Sequence, residues 1–323
     1  MKRFNNILFV YESAVDGTMA LERAITLAEN NQAQLTVVEV MDEPPSIAGV
    51  VSGKVSAETI QKAMLEERQE RLQRLIETLR TGIPINTRVL VGTAFLEIIR
   101  EVLRGQRDLV IKPAHGDSML DRIFGSNDMH LLRKCPCPVW LMKPAGSKTY
   151  RRILAAVDFG KENDKDKKNS LNRQVLEIAT SLSHSEFSEL HIVHVWRAYG
   201  ESALRSGFAQ MPEAKLDVYL DDVQQQHQQR LNALMDDLST WVGKDAVDYV
   251  KPRLHLLKGD AKDEIPRLAA ELKVDLIVMG TLARAGIPGF IMGNTAETIL
   301  NHIDCSVLAV KPEGFVTPVT LEE

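Results

Sequence analysis

The residues of this chain that could do chemistry gather in a few places. The richest is the segment from Met279 to Glu297. It carries Gly280, Gly286, Gly289 and Gly293, one cation in Arg284, and no acid before Glu297. Glycines let main-chain N–H groups approach a phosphate, and a helix starting after Asn294 would aim its positive N-terminus at the same spot. The same residues serve stability alone if Asn294 and Glu297 form a capping box. Phe290, Ile291 and Met292 add an apolar triplet. A phosphate clamp has no need of it, whereas an apolar ligand or packing against a sheet would use it.

Other candidates weigh less. Cys135 and Cys137 flank a proline, and Cys305 stands apart. A C-x-C with no second pair does not complete a zinc site, and so few cysteines fit a reducing compartment. His191 and His194 lie three apart in a strand pattern and should point to opposite faces, as core or interface residues rather than metal ligands. His115 lies near Asp117, but no nucleophile stands beside it. The run Gly160 to Lys168 resembles a calcium loop only superficially, since its lysines and spacing break the pattern. There is no G-x-G-x-x-G after a first strand, no G-x-x-x-x-G-K-[ST] and no G-x-S-x-G. Nicotinamide and flavin dehydrogenases, P-loop ATPases and α/β-hydrolases are thereby disfavoured.

The elements that must position these residues come from an internal duplication. Ile7–Glu12 matches Ile153–Asp158, Leu35–Val40 matches Leu190–Val195, and Asp108–Ile111 matches Asp275–Val278. Arg88–Gly92 matches Arg253–Gly259 loosely, and Gly125–Pro144 matches Gly293–Pro312 without a gap. Short β-branched runs read as buried strands, with amphipathic helices between them (Ala20, Ala24, Leu27 and Ala28; Val175, Ile178, Ala179 and Leu182). Each half also has a long charged helix, Ala57 to Leu79 and within Glu213 to Val242. The pattern predicts α/β architecture: two tandem Rossmann-like domains, each a five-stranded parallel sheet with helices on both faces. The domains are expected at residues 1–147 and 148–314, with a flexible tail at 315–323. Ligands of such sheets bind at the carboxyl ends of the strands.

With these motifs in hand, the chain resembles the universal stress proteins in a tandem two-domain form, over nearly its whole length. The family's nucleotide signature is Gly-x2-Gly-x9-Gly-Ser/Thr after a Val-Met-Gly strand end. The second half supplies Gly280 and Gly293 at that separation, with Ala283 at the middle glycine and Asn294, followed by Thr295, at the Ser/Thr. The resemblance places Asp158 and the main chain of Val195 beside an adenine. The first half departs further. Pro113 replaces the first glycine and has no N–H to donate, Gly116 to Gly125 is one residue short, Asp117 and Asp121 would repel phosphate, and Glu12 replaces the aspartate. Ser126 is explained as an N-cap. This half is expected to be degenerate and to serve as a pairing partner, since family members dimerise through their last strands. Here Val139–Met142 and Val307–Val310 should pair within one chain as an internal pseudo-dimer, covering sheet edges.

The chain has 323 residues, a formal net charge of -5, 44% hydrophobic and 5% aromatic residues. A basic nucleic-acid stripe and a base-stacking platform are both disfavoured. No apolar run reaches the roughly 18 residues of a membrane span, and the N-terminal run reads as a strand rather than a signal peptide. The resemblance implies a cytoplasmic protein that protects against growth arrest or damage, DNA damage included. The expected cofactor is ATP in the second domain only, with no metal beyond magnesium accompanying the nucleotide. No catalytic constellation is evident, so any ATP hydrolysis would be slow and secondary to binding. The alternative is a non-nucleotide carrier or interaction protein, holding a lipid-like ligand or a protein partner in degenerate clefts.

Overall fold

The computed structural model describes residues 4–43, 57–114, 124–143, 149–159, 165–206, 211–281 and 292–321. Chain contacts divide it into two units: residues 1–148, 281–292 and 305–323 in one, 149–280 and 293–304 in the other.

In the first unit the order is β1 (Asn6–Tyr11), α1 (Thr18–Asn31), β2 (Gln34–Met41), α2 (Ala57–Glu77), β3 (Ile85–Val91), α3 (Ala94–Gly105), β4 (Leu109–Pro113), α4 (Ser126–Lys134) and β5 (Val139–Met142). The strands lie in the order β3-β2-β1-β4-β5, and each of these neighbours pairs in parallel. Such strands are covered on both faces. Leu8, Leu35, Leu109, Val110 and Ile111 are accordingly completely buried.

The second unit repeats the plan. It contains β6 (Arg152–Ala156), α5 (Lys165–Glu186), β7 (Glu189–Trp196), α6 (Glu201–Arg205), α7 (Glu213–Val242), α8 (Lys244–Val250), β8 (Arg253–Lys258), α9 (Ala261–Glu271), β9 (Leu276–Gly280) and α10 (Asn294–His302). Its parallel strands run β8-β7-β6-β9, the same order as β3-β2-β1-β4.

The matched sequences have matched physical tasks. Asp108 takes the main-chain N–H groups of Asn5 and Asn6 at 2.6 and 3.0 Å. Asp275 takes those of Arg151 and Arg152 at 2.7 and 3.0 Å. Each aspartate thus fixes the start of the first strand of its unit from the approach to the fourth. Gly92 and Gly259 both have positive φ, 136° and 154°, where a side chain is strained. Each donates its N–H to the end of the second strand, to Met41 O and Trp196 O.

The last strand, β10 (Ser306–Val310), falls in the first unit and pairs antiparallel with β5, with Val307 opposite Leu141 and Ala309 opposite Val139. The main-chain N–H of Lys143 donates to Ser306 Oγ at 3.1 Å, and Trp140 on β5 is 1% exposed. β10 therefore covers what would be a flat apolar edge. A chain ending after Asp304 should self-associate more strongly than the full chain in sedimentation velocity. Equal sedimentation of the two would contradict that edge-covering role.

Candidate functional site

The crevice of a doubly wound sheet lies where the strand order reverses, which in the second unit is between β6 and β9. Register places Ala156 opposite both Met279 and Val193, so Asp158 and Gly280 follow directly at neighbouring strand ends. Val195 is near the end of β7, opposite Leu257. Gly293 precedes α10, whose first two residues, Asn294 and Thr295, are exposed. Ala283, Arg284, Phe290 and Ile291 lie outside the described residues; Met292 is 1% exposed.

Two helix starts differ from expectation. Gly293, not Asn294, is the N-cap of α10, with Asn294 already helical and no side-chain cap hydrogen bond. Gly125, not Ser126, is the N-cap of α4. Sequence preference favours Asn and Ser at such positions over glycine, yet in both repeats the extended glycine precedes the turn. Neither glycine has a side chain to cap with; the first-turn acids are Asp128 in α4 and Glu297 in α10.

Asp158 is held by a residue that motif reading missed. Asn172 on α5 is buried; its amide donates to Asp158 O at 3.0 Å, and its Oδ1 accepts the Asp158 N–H at 3.2 Å. This two-point clamp sets the main chain of Asp158 whatever its carboxylate does. Gly280 also has a packing role, since an added Cβ would come within 2.6 Å of Leu171 on the same helix.

Aromatic side chains crowd the neighbouring strand ends. Phe159 meets His194 edge-on at 4.4 Å, and His194 and Trp196 each stack on His227 of α7, at 4.9 and 5.8 Å between centroids. His191 lies against His255 of β8, with the ring nitrogens 2.8 Å apart. The two β7 histidines thus meet different elements, β8 and α7. Burial pushes His194 down to about 4, the Val157 carbonyl opposing this.

The first unit has filled the equivalent place from within. Lys112 on β4 is completely buried. Its ammonium lies 2.9 Å from Glu12 Oε1 and 2.8 Å from Asp128 Oδ1, and donates to Pro113 O at 3.1 Å. The Pro113 contact is a hydrogen bond, and the two carboxylates are close ion-pair partners. Asp128, in the first turn of α4, also accepts the Gly125 N–H at 3.3 Å. An internal carboxylate therefore stands where a helix N-terminus would receive an anion. His115, Gly116, Asp117 and Asp121 lie outside the described residues.

Cys135 and Cys137 are buried, with their sulfurs 3.6 Å apart. Among the described residues no cluster of three or more His, Cys, Asp or Glu could hold a metal ion, and no helix is long and apolar enough to cross a membrane.

The universal stress protein family pattern matches residues 3–143 and again 149–311. Universal stress protein E of Salmonella typhi is 31% identical, with the alignment covering 100% of this chain and 99% of that protein. Its counterpart in Escherichia coli K12 is 30% identical over the same shares. A crystal structure of a protein described as a putative universal stress protein, from Pseudomonas aeruginosa UCBPP-PA14, superposes with a TM-score of 0.67. It is 23% identical, covering 97% of this chain and 95% of that one, which speaks to the fold.

Two outcomes follow from the buried charges. Lys112→Met leaves Glu12 and Asp128 without their cation and should cost about 3–5 kcal/mol in urea unfolding. Adding Asp128→Ala should recover much of that loss; a single-variant cost below about 1 kcal/mol would refute the triad's role. Below pH 6.5 the unfolded chain protonates His194, while the folded chain resists until about pH 4. This contribution to stability is complete above 6.5 and lost as pH falls towards 4, by roughly 3 kcal/mol in total. His194→Gln should flatten that slope in urea unfolding measured across the interval.

Proposed function

The chain belongs to the universal stress protein family, a stress-response family, and on that premise we propose that its second unit binds an adenine nucleotide while its first does not. One observation carries the reading. The repeat alignment sets Met279 against Lys112, Asp158 against Glu12, and Ala296 against Asp128. Each partner of the first unit's ion cluster thus has a counterpart, and two of the three counterparts are neutral. The first-turn acid of α4 is Asp128, which accepts the Gly125 N–H; α10 has Ala296 at the matched position and its own acid, Glu297, one place later. A phosphate would meet the helix N-terminus at Gly293, Asn294 and Thr295, with Gly280 at the end of β9 and Ala283 at the family's middle glycine position. The asparagine amide would donate where the family has a hydroxyl.

At the other end, Asp158 and the Val195 main chain would hold the base, with Asn172 keeping Asp158 in place. Magnesium would enter only with the nucleotide. The role is binding in a cytoplasmic stress response, DNA damage resistance included, rather than turnover. The pairing of the last strands belongs to the same reading: β5 has its antiparallel neighbour β10 within the chain, so its edge needs no second copy.

The test is to purify the chain without added ligand, denature it, and identify what is released by mass spectrometry. Adenine nucleotide near one per chain supports the reading. A lipid without nucleotide, or an empty protein that does not bind ATP in titration, overturns it; the lipid result would make the protein a carrier. Ala296→Asp restores the first unit's carboxylate and should weaken ATP binding by about tenfold or more. Gly293→Val should do the same by blocking main-chain approach, and unchanged affinity in both variants would exclude α10.

A further inference from the structure

The imidazole pair beside Asp158 has a fixed proton order. His194 Nε2 and His227 Nδ1 are 2.8 Å apart, so one of them must carry the hydrogen between them. His194 Nδ1 lies 3.3 Å from Val157 O. A carbonyl only accepts, so the His194 proton is on Nδ1 and its Nε2 is a lone pair. His227 must then donate from Nδ1, and the neutral ring carries its own lone pair on Nε2. Among the described residues nothing hydrogen-bonds that atom, and the His227 side chain is only half-buried. One main-chain carbonyl therefore sets the tautomers of two rings in series and leaves an acceptor at the end.

We infer that His227 Nε2 is a ligand-reading acceptor of the second unit, selecting a base with an exocyclic amine, a 6-aminopurine, over its 6-oxo counterpart. This rests on the nucleotide reading above. A 6-oxo group would set acceptor against acceptor and leave both unpaired, the kind of mismatch that discriminates strongly in a partly dry site. Phe159 and Trp196 supply apolar walls around the pair.

The surroundings decide the pH behaviour. Asp158, after β6, favours the protonated ring; Arg230, on α7 itself, opposes it, and burial opposes it most, so His227 lies below its usual value. His194 from β7 remains neutral. Lys258 of β8 sits over the Trp196 ring and is paired with Glu201 at 2.8 Å, and Asn172 of α5 is uncharged. The acceptor is thus present at neutral pH. In acid, His227 Nε2 takes the proton first, because the resulting cation still donates from Nδ1 to His194. The relay survives but the acceptor is lost.

The experiment is isothermal titration of the full chain with ATP and with inosine triphosphate at pH 7.5 and pH 5.5. ATP should bind about tenfold or more tightly than the inosine nucleotide at pH 7.5. That preference should be smaller at pH 5.5 than at pH 7.5, and should shrink towards unity in His227→Ala. His227→Gln, whose amide oxygen also accepts, should keep part of the preference and lose its pH dependence. ATP binding with the same preference in His227→Ala as in the parent would overturn this inference and leave the nucleotide reading standing. Failure of both nucleotides to bind the parent chain at either pH would overturn the two together.

Discussion

A lysine ammonium with no exposure to solvent must find its countercharge within the fold, and Lys112 finds it in Glu12 and Asp128, with a hydrogen bond to the Pro113 carbonyl. That requirement ties together the end of β1, the end of β4 and the first turn of α4. These are the three places that converge on the crevice of a doubly wound sheet. The first unit thus has its own charges at the spot where the fold ordinarily receives a ligand. Removing any one partner leaves an uncompensated charge in a low-dielectric place, so the cluster is stable as a set. In the second unit the same backbone carries Met279, Asp158 and Ala296. Met279 cannot pair with carboxylates as Lys112 does, and the described contacts there include the Asn172 clamp on Asp158 and Leu171 packed over Gly280.

Much of the architecture was legible because each sequence match marks a local requirement. Asp108 and Asp275 recur because each takes two N–H groups at the start of a first strand. Gly92 and Gly259 recur because their φ angles are positive. The β-branched runs recur because parallel strands are buried on both faces. Asp158, Val195 and Gly280 could be placed at strand ends for the same reason, since a strand's end is a local property of the pattern.

What could not be read were pairings between distant side chains of unlike type. Lys112 finds Glu12 across a hundred residues, and it breaks an apolar run where a strand pattern predicts only aliphatics; that break was the available signal. Asn172 sits inside a helix pattern, where nothing distinguishes a buried amide from a solvated one. His194 and His227 belong to a strand and a helix whose packing faces are known only once the helix is docked. The helix caps were missed for a different reason. Asn294 and Ser126 have the better capping side chains, but the preceding glycines adopt the extended conformation that opens the turn. Propensity ranks the residues without fixing where the chain enters the helix.

The two units share their strand interiors and differ at their strand ends. The sheet is held by strand interiors such as Leu8, Leu35 and Ile111 in one unit and Leu154, Ile192 and Ile277 in the other, all completely buried. The crevice lies beyond those interiors, at strand ends and helix starts, where a substitution alters charge without touching the apolar layers. A ligand phosphate and the Asp128 carboxylate are alternative answers to one problem, a helix N-terminus with unpaired N–H groups and positive potential. A unit that supplies its own anion is stable with or without ligand. A unit without an acid at that position gains stability when an anion arrives, by an amount rising with the logarithm of ligand concentration over its dissociation constant. On the nucleotide reading proposed above, the second unit would couple its stability to the supply of a small anionic ligand, whereas the first would be insulated from it.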